Sequence, residues 1–309
     1  EVAEIELQMF NTAQKMIEEQ MLNNSTSAAI LPMQCYMQPF WNHSDIEIYN
    51  ESNLDTMGRM PDNCIDLTVT SPPYDNLRNY KGFTFEFEKV AQELYRVTKE
   101  GGIVIWVVGD ATINGTETGS SFIQALHFKN ICGFNLHDTC IFKKKNPMPQ
   151  NHNRLDQCFE YIFVFSKGKP KTFNPIYEDC ITVGTTKKRN QETKSAIDSK
   201  SVSRKRDENT VVKSKKYKTN ILEYAVGVDA ENETGTHPAI FPQQLAKEQI
   251  YMWSNEGDVV YDCFGGSGTT AKMAYLQNRK CILSEISTEY CELSKKRLQP
   301  FTSQHRLFV

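Results

Sequence analysis

"YDCFGGSGTTAKMA", Tyr261–Ala274, decides the fold. The run "DVVYDCF" reads as a strand that ends at Asp262, and "TTAKMAYLQN" reads as a helix that begins near Thr269. Between them lie Gly265, Gly266 and Gly268. Glycines let the chain turn tightly and let a ligand approach the main chain. The helix start adds unpaired N–H groups and a partial positive charge. Gly266-x-Gly268-x-x-Ala271 matches the dinucleotide fingerprint loosely. Glu285 closes the next strand, "KCILSEI", seventeen residues after Gly268, where an acid binds ribose hydroxyls. No Gly-Lys-Ser/Thr follows, so this is not a phosphate loop. A nucleoside cofactor is expected, and the alternative is a strand–helix turn with no ligand. Asp262 would repel a pyrophosphate such as that of NAD, and it suits a ligand bearing an amino group or a sulfonium.

Outward from this corner, strands alternate with helices. "SDIEIYNES" (44–52), "CIDLTVT" (64–70) and "IVIWVVGD" (103–110) read as strands. "FEFEKVAQELYRVTKE" has helical spacing through Val90, Leu94 and Val97, with Gly101-Gly102 expected to end it. "SSFIQALHFKNICG" is a helix stopped by Gly133, and "LHDTCIFKKK" and "EYIFVFSKG" are two strands expected to pair antiparallel. Residues 3 to 22 have helical spacing through Ile5, Phe10, Ala13, Ile17 and Met21. "PQQLAKEQIYMWS" and "STEYCELSKKRL" are further helices. This alternation predicts an α/β fold with a mainly parallel sheet covered on both faces. From about 171 to 233 the pattern dissolves, over a length too great for a structureless loop in a compact domain. The expected division is a helical extension (1–43), one half of the core (44–170), an insertion (171–233) and a cofactor-binding half (234–309).

A second corner stands in "VTSPPYDNLRNY", Val69–Tyr80. Proline donates no ladder hydrogen bond, so the strand must stop at Ser71. In an open α/β sheet, ligands sit outside the carboxyl ends of strands where the strand order reverses. Ser71 and Asp262 are 191 positions apart, yet both lie at such ends. If their strands are neighbours, the two corners face one crevice.

The 309 residues carry a net charge of −3. Between Lys187 and Lys218 there are twelve Lys/Arg and four Asp/Glu, a local +8, which leaves −3 − 8 = −11 elsewhere. Such a block is either a solvated loop or a nucleic-acid contact. The nine cysteines form no CxxC pair and read as reduced thiols, with no metal-ligand spacing and no disulfide framework. No run of eighteen apolar residues predicts a membrane span, and the acidic N-terminus lacks a signal-peptide core, so an intracellular (if bacterial, cytoplasmic) place is expected.

"TSPPY" together with "DCFGGSGTT" resembles the DNA amino-methyltransferases that use S-adenosylmethionine, in the β-group order with the proline motif first. The likeness runs from about Ser44 to Leu298. It implies a Rossmann-like mixed sheet with circularly permuted motifs and S-adenosyl-L-methionine as cofactor. Double-stranded DNA is then the substrate, with 171–233 as the target-recognition insertion. A homodimer and a cognate restriction endonuclease also fit the resemblance, and no membrane partner does. In that family the corner Ser71, Pro72, Pro73 and Tyr74 is catalytic. The Ser71 hydroxyl and the Pro72 carbonyl can accept hydrogen bonds from an exocyclic amine, and Tyr74 can stack an extruded base. Asp262, Phe264, Gly266, Gly268, Thr269, Thr270 and Glu285 would bind the cofactor. His237, Pro238 and Phe241 of "HPAIFPQQL" would wall its site. The family often places an acid after the strand "IEIY", where Ser52 stands here with Glu51 adjacent. Cys263 replaces the family's usual proline. Lys187, Lys188, Arg189, Arg204, Lys205 and Arg206 would neutralise DNA phosphates. Serine at the head of "SPPY" points to cytosine N4, with adenine N6 as the alternative. No Pro-Cys pair exists for cytosine C5 chemistry. An NAD oxidoreductase explains the glycines but not the proline corner. A non-catalytic DNA-binding protein explains the charge block but not both corners.

Overall fold

The computed structural model describes residues 38–43, 45–73, 85–147, 149, 153–180, 214–226 and 241–303. Trp41–His43 (β1) and Ile46–Tyr49 (β2) lead into the short helix Asn53–Arg59 (α1). Ile65–Thr70 (β3), Phe87–Val97 (α2) and Thr98–Val108 (β4) follow. A small hairpin, Thr112–Ile113 (β5) with Thr116–Glu117 (β6), precedes Ser120–His127 (α3). Asn135–Lys144 (β7) and Phe159–Ser166 (β8) come next, then the ribbon Tyr177–Asp179 (β9) with Lys215–Tyr217 (β10). Ile221–Tyr224 (β11), Gln243–Trp253 (α4), Val259–Asp262 (β12), Thr269–Leu276 (α5), Lys280–Ser284 (β13) and Thr288–Thr302 (α6) complete the order.

The main sheet runs β1-β2-β13-β12-β3-β4-β8-β7-β11. β2, β13, β12, β3 and β4 are mutually parallel. β8 is antiparallel to both β4 and β7, and β11 lies parallel to β7. From the centre, the chain passes β12–α5–β13 in one direction and β3–α2–β4 in the other. The reversal falls between β12 and β3, which pair through Val260–Leu67 and Tyr261–Thr68. This is the neighbour relation that the two corners require.

Each face of the sheet has its own core. Leu67, Val69, Ile103, Ile105 and Val260 pack under α4, α5 and α6 with Leu245, Ile250, Ala271 and Leu298. Ile65, Val104, Trp106 and Tyr261 pack on the other face with Met57 of α1, Val90 and Leu94 of α2, and Ala125 of α3. Alternate residues of β4 therefore serve opposite cores, and every residue from 101 to 108 is buried. This is why "IVIWVV" reads as a continuous apolar run. The fold is the doubly wound, mostly parallel α/β sheet expected from the alternation.

Three details differ from the sequence reading. Gly101 and Gly102 do not end α2, which stops at Val97 with Thr98 as its cap. They lie inside β4, where the pairing jumps from Ile65–Thr98 to Leu67–Ile103. Gly101 has φ +78°, and an added Cβ would lie 2.9 Å from the Lys171 side chain. The glycines thus absorb a bulge. The second detail is a π-turn, Phe128–Cys132, between α3 and the left-handed stop at Gly133. The third is that both sheet edges, β1 and β11, come from segments that the sequence sets apart from the core. Residues 3 to 22 lie outside the described residues. Among the described residues, no helix is long and apolar enough to cross a membrane, and no His/Cys/Asp/Glu cluster could hold a metal.

Candidate active site

The two corners meet through side chains at the ends of β3 and β12. The Thr70 hydroxyl donates to Asp262 Oδ1 at 2.7 Å, and the Phe264 N–H donates to the same oxygen at 3.1 Å. The Thr270 hydroxyl also hydrogen-bonds the carboxylate. The Cys263 thiol donates to Thr70 Oγ1 at 3.6 Å, so Cys263 closes the junction from behind. Asp262 is 5% exposed, and no cation pairs with it among the described residues. Burial pushes its carboxyl up, and the three donors oppose that only in part. A buried, uncompensated carboxylate suits a ligand that brings positive charge.

The glycine turn is held from two sides. The Gly266 N–H donates to Glu285 Oε2 and the Ser287 N–H to Glu285 Oε1, each at 2.8 Å. Burial pushes the Glu285 carboxyl up, and Asp262 nearby adds to the shift. On the far side, α6 backs the turn. The Ser294 hydroxyl donates to the Gly266 carbonyl at 2.9 Å. Arg297 Nη1 donates to the Ser267 carbonyl at 2.6 Å and its hydroxyl at 2.8 Å. Gly268 has φ +76°, and an added Cβ would lie 2.9 Å from Ser294. Thr269 and Thr270 begin α5 and are buried.

At the end of β2 the side chains serve the scaffold. The Ser52 hydroxyl caps α1 by accepting from the Leu54 N–H at 3.2 Å. Glu51 accepts from the Thr56 hydroxyl at 2.7 Å and pairs with Arg59. Asn50 donates to the carbonyls of Glu285 (3.0 Å) and Ile286 (3.1 Å), and Asn53 donates to the Cys263 carbonyl at 3.1 Å. Asn50, Asn53, Thr70, Ser294 and Arg297 all hold the two corners in place, and the sequence reading gave none of them a role. Their partners lie between 28 and 238 residues away, so no local pattern could mark them.

At the proline corner, Pro72 is buried and Ser71 and Pro73 are half-buried. Phe264 turns its ring edge-on to Phe85 at 5.3 Å and to Trp106 at 6.3 Å. Phe241 is half-buried beside the start of α4. Asp110, at the end of β4, accepts from the Ser121 N–H at 2.9 Å and the Ser121 hydroxyl at 2.5 Å, which caps α3. Tyr74, His237, Pro238, Lys187, Lys188, Arg189, Arg204, Lys205 and Arg206 lie outside the described residues.

A family model described as DNA methylase, for N6 and N4 enzymes, matches residues 65–296. The chain belongs to this DNA methylase family. It is a β-class DNA amino-methyltransferase, and DNA is its substrate class. The methylase is similar to the orphan methyltransferase M.BamHII of Bacillus amyloliquefaciens. The two are 51% identical over 245 residues, 78% of this chain and 91% of the relative. It is also similar to the DNA adenine methyltransferase YhdJ of Escherichia coli (strain K12), at 25% identity over 85% of this chain and 86% of that one. Among solved structures, the PvuII cytosine-N4-specific DNA methyltransferase shares its fold. That match has a TM-score of 0.63 at 20% identity and covers 88% of this chain and 91% of that chain.

Proposed function

We propose that this methylase transfers a methyl group from S-adenosyl-L-methionine to the N4 amine of a cytosine extruded from a specific DNA site, as the modification enzyme of a restriction–modification system. One observation carries the reading: Thr70 and Asp262 join the Ser71-Pro72-Pro73 corner to the glycine turn at adjacent strand ends. The cofactor supplies the activated methyl group. Asp262 offers a buried and Glu285 a half-buried carboxylate, without counter-ions among the described residues, a pair of acceptors that fits a cationic nucleoside. Glu285, which accepts from the Gly266 N–H, is the acid that would accept from the ribose hydroxyls. Asp262 supplies the charge that attracts the amino or sulfonium end. Ser71 Oγ and the Pro72 carbonyl accept hydrogen bonds from the amine's N–H groups and direct its lone pair. Proximity and orientation then provide much of the rate. Serine in place of aspartate at the head of the corner favours cytosine N4 over adenine N6. Tyr74 stacks the base, and the basic residues between Lys187 and Arg206 hold phosphates. A homodimer and a cognate endonuclease belong to the same reading.

Mass spectrometry of nucleosides from plasmid DNA treated with enzyme and S-adenosylmethionine tests it. N4-methylcytosine is expected. N6-methyladenine would replace the base assignment and keep the chemistry. No methylated base, with the cofactor bound, would overturn the function.

A further inference from the structure

The β7–β8 hairpin turns over at the carboxyl end of the sheet, because β7 runs in the same sense as β4. β7 ends in Lys143 and Lys144, which pair with Glu223 and Glu160, and the loop beyond carries Lys145, Arg154 and then Leu155, which is 93% exposed. The neighbours of Leu155 are tied down. Arg154 donates to the Gly115 carbonyl and lies 3.5 Å from Glu117, both on the β5–β6 hairpin. That hairpin exposes Ile113 to 49%. Four residues beyond Leu155, Phe159 is 36% exposed and stacks edge-on to Tyr161 at 5.3–5.4 Å, as does Phe122 from α3. Burial raises the Tyr161 phenol first, then Asp110 and Glu117, which places Tyr161 in the same neighbourhood. Exposed apolar side chains therefore stand on the β7–β8 loop, on the β5–β6 hairpin tied to it, and around Tyr161.

The sheet order sets the lateral distance to the strand that leads into the proline corner. Thr70, the last residue of β3, pairs with Trp106, and Val108, two residues further along β4, pairs with Tyr161 of β8. β3 and β8 are two strand spacings, about 10 Å, apart. The β7–β8 loop turns over at the same end of the sheet as the corner, the end that DNA delivering a base to the corner approaches. A single exposed leucine needs no explanation. An anchored one, in a basic loop beside a site that needs an unstacked base, has a defined use. Proteins that open base steps insert apolar side chains where the stack parts. Lys145, at the start of the loop, is a cation that can meet a phosphate beside the opened step.

We propose that Leu155 is the wedge that enters the duplex where the target base leaves, with Ile113 and Phe159 forming the apolar rim beneath the opened step. The proposal rests on the reading of the Ser71 corner as an extruded-base site. It is tested with a synthetic duplex bearing the site mapped by sequencing methylated plasmid, and with the same duplex mismatched at the target. Leu155→Ala and Leu155→Asn are expected to lower kcat/KM on the matched duplex by about tenfold, the worth of about two buried methylenes. Leu155→Met should keep the parent rate, and the mismatch, which lowers the cost of extrusion, should restore the two impaired variants. An unchanged rate for Leu155→Ala on the matched duplex overturns the wedge, as does a loss that persists equally on the mismatched one. If the parent enzyme methylates neither duplex, the extruded-base site itself fails, and the wedge with it.

Discussion

Asp262 is a charge given donors but no counter-ion among the described residues. Its folded pKa lies above the ordinary value of 3.8 because burial outweighs the bonds from Thr270, Thr70 and Phe264. The sign for stability follows. An acid with a raised folded pKa contributes stability that is present below its unfolded pKa and is lost as pH rises through the folded pKa. The cofactor-free enzyme should therefore fall behind Asp262→Asn in Tm as pH rises above about 4, and the two should converge in acid. Cofactor affinity should move the opposite way. Calorimetry should show at least a tenfold loss for Asp262→Asn at neutral pH, where one paired charge is worth over 1.4 kcal/mol. Equal affinity would remove Asp262 from the cofactor site. Thr70 offers a second check. Thr70→Val leaves a buried carboxylate short of a donor, at a cost of about 1–3 kcal/mol. Thr70→Ser keeps the hydroxyl and should restore both stability and turnover.

At the scale of elements, the glycine turn depends on helices that flank it. α1 begins at Asn53, and its cap and its bond to Cys263 come from adjacent residues. Ser52→Ala should lower unfolding stability by about 1 kcal/mol in urea, the worth of a helix cap. It should leave cofactor affinity within twofold, since the hydroxyl is already spent on Leu54. A large affinity loss without loss of stability would return Ser52 to the adenine contact. α6 acts from the other side. Gly268→Ala would force a side chain into the left-handed region and against Ser294. Strain of about 1–3 kcal/mol should appear both as a lower Tm and as weaker cofactor binding, because the turn and its backing move together.

Across the whole molecule, the sequence made some features plain and hid others for physical reasons. The strand–turn–helix at Asp262 was legible because glycine chemistry is local. The stop at Ser71 was legible because proline cannot extend a ladder. Gly101 and Gly102 were misread because a glycine pair looks alike at a helix end and in a bulge, and only the pairing of β3 with β4 separates them. Asn53 and Arg297 were invisible because their importance lies in carbonyls that folding brings near. Charge belongs to this scale too. Neutralising Lys187, Lys188, Arg189, Arg204, Lys205 and Arg206 should weaken DNA binding and flatten its salt dependence by about one log–log unit per lost phosphate contact. S-adenosylmethionine affinity should hold. An unaltered slope would leave recognition to the β7–β8 loop.

The pairing of β12 with β3 also sets an order of events during synthesis. β3 ends at Thr70 and β12 begins at Val259, 259 − 70 = 189 residues later. At translation rates of about 5–20 residues per second, β3 waits about 10–40 s for its central partner. Through that interval one side of an apolar strand stands open while the nascent chain grows. A chain released before Val259 would keep that open edge, and it should collect in inclusion bodies or on chaperones.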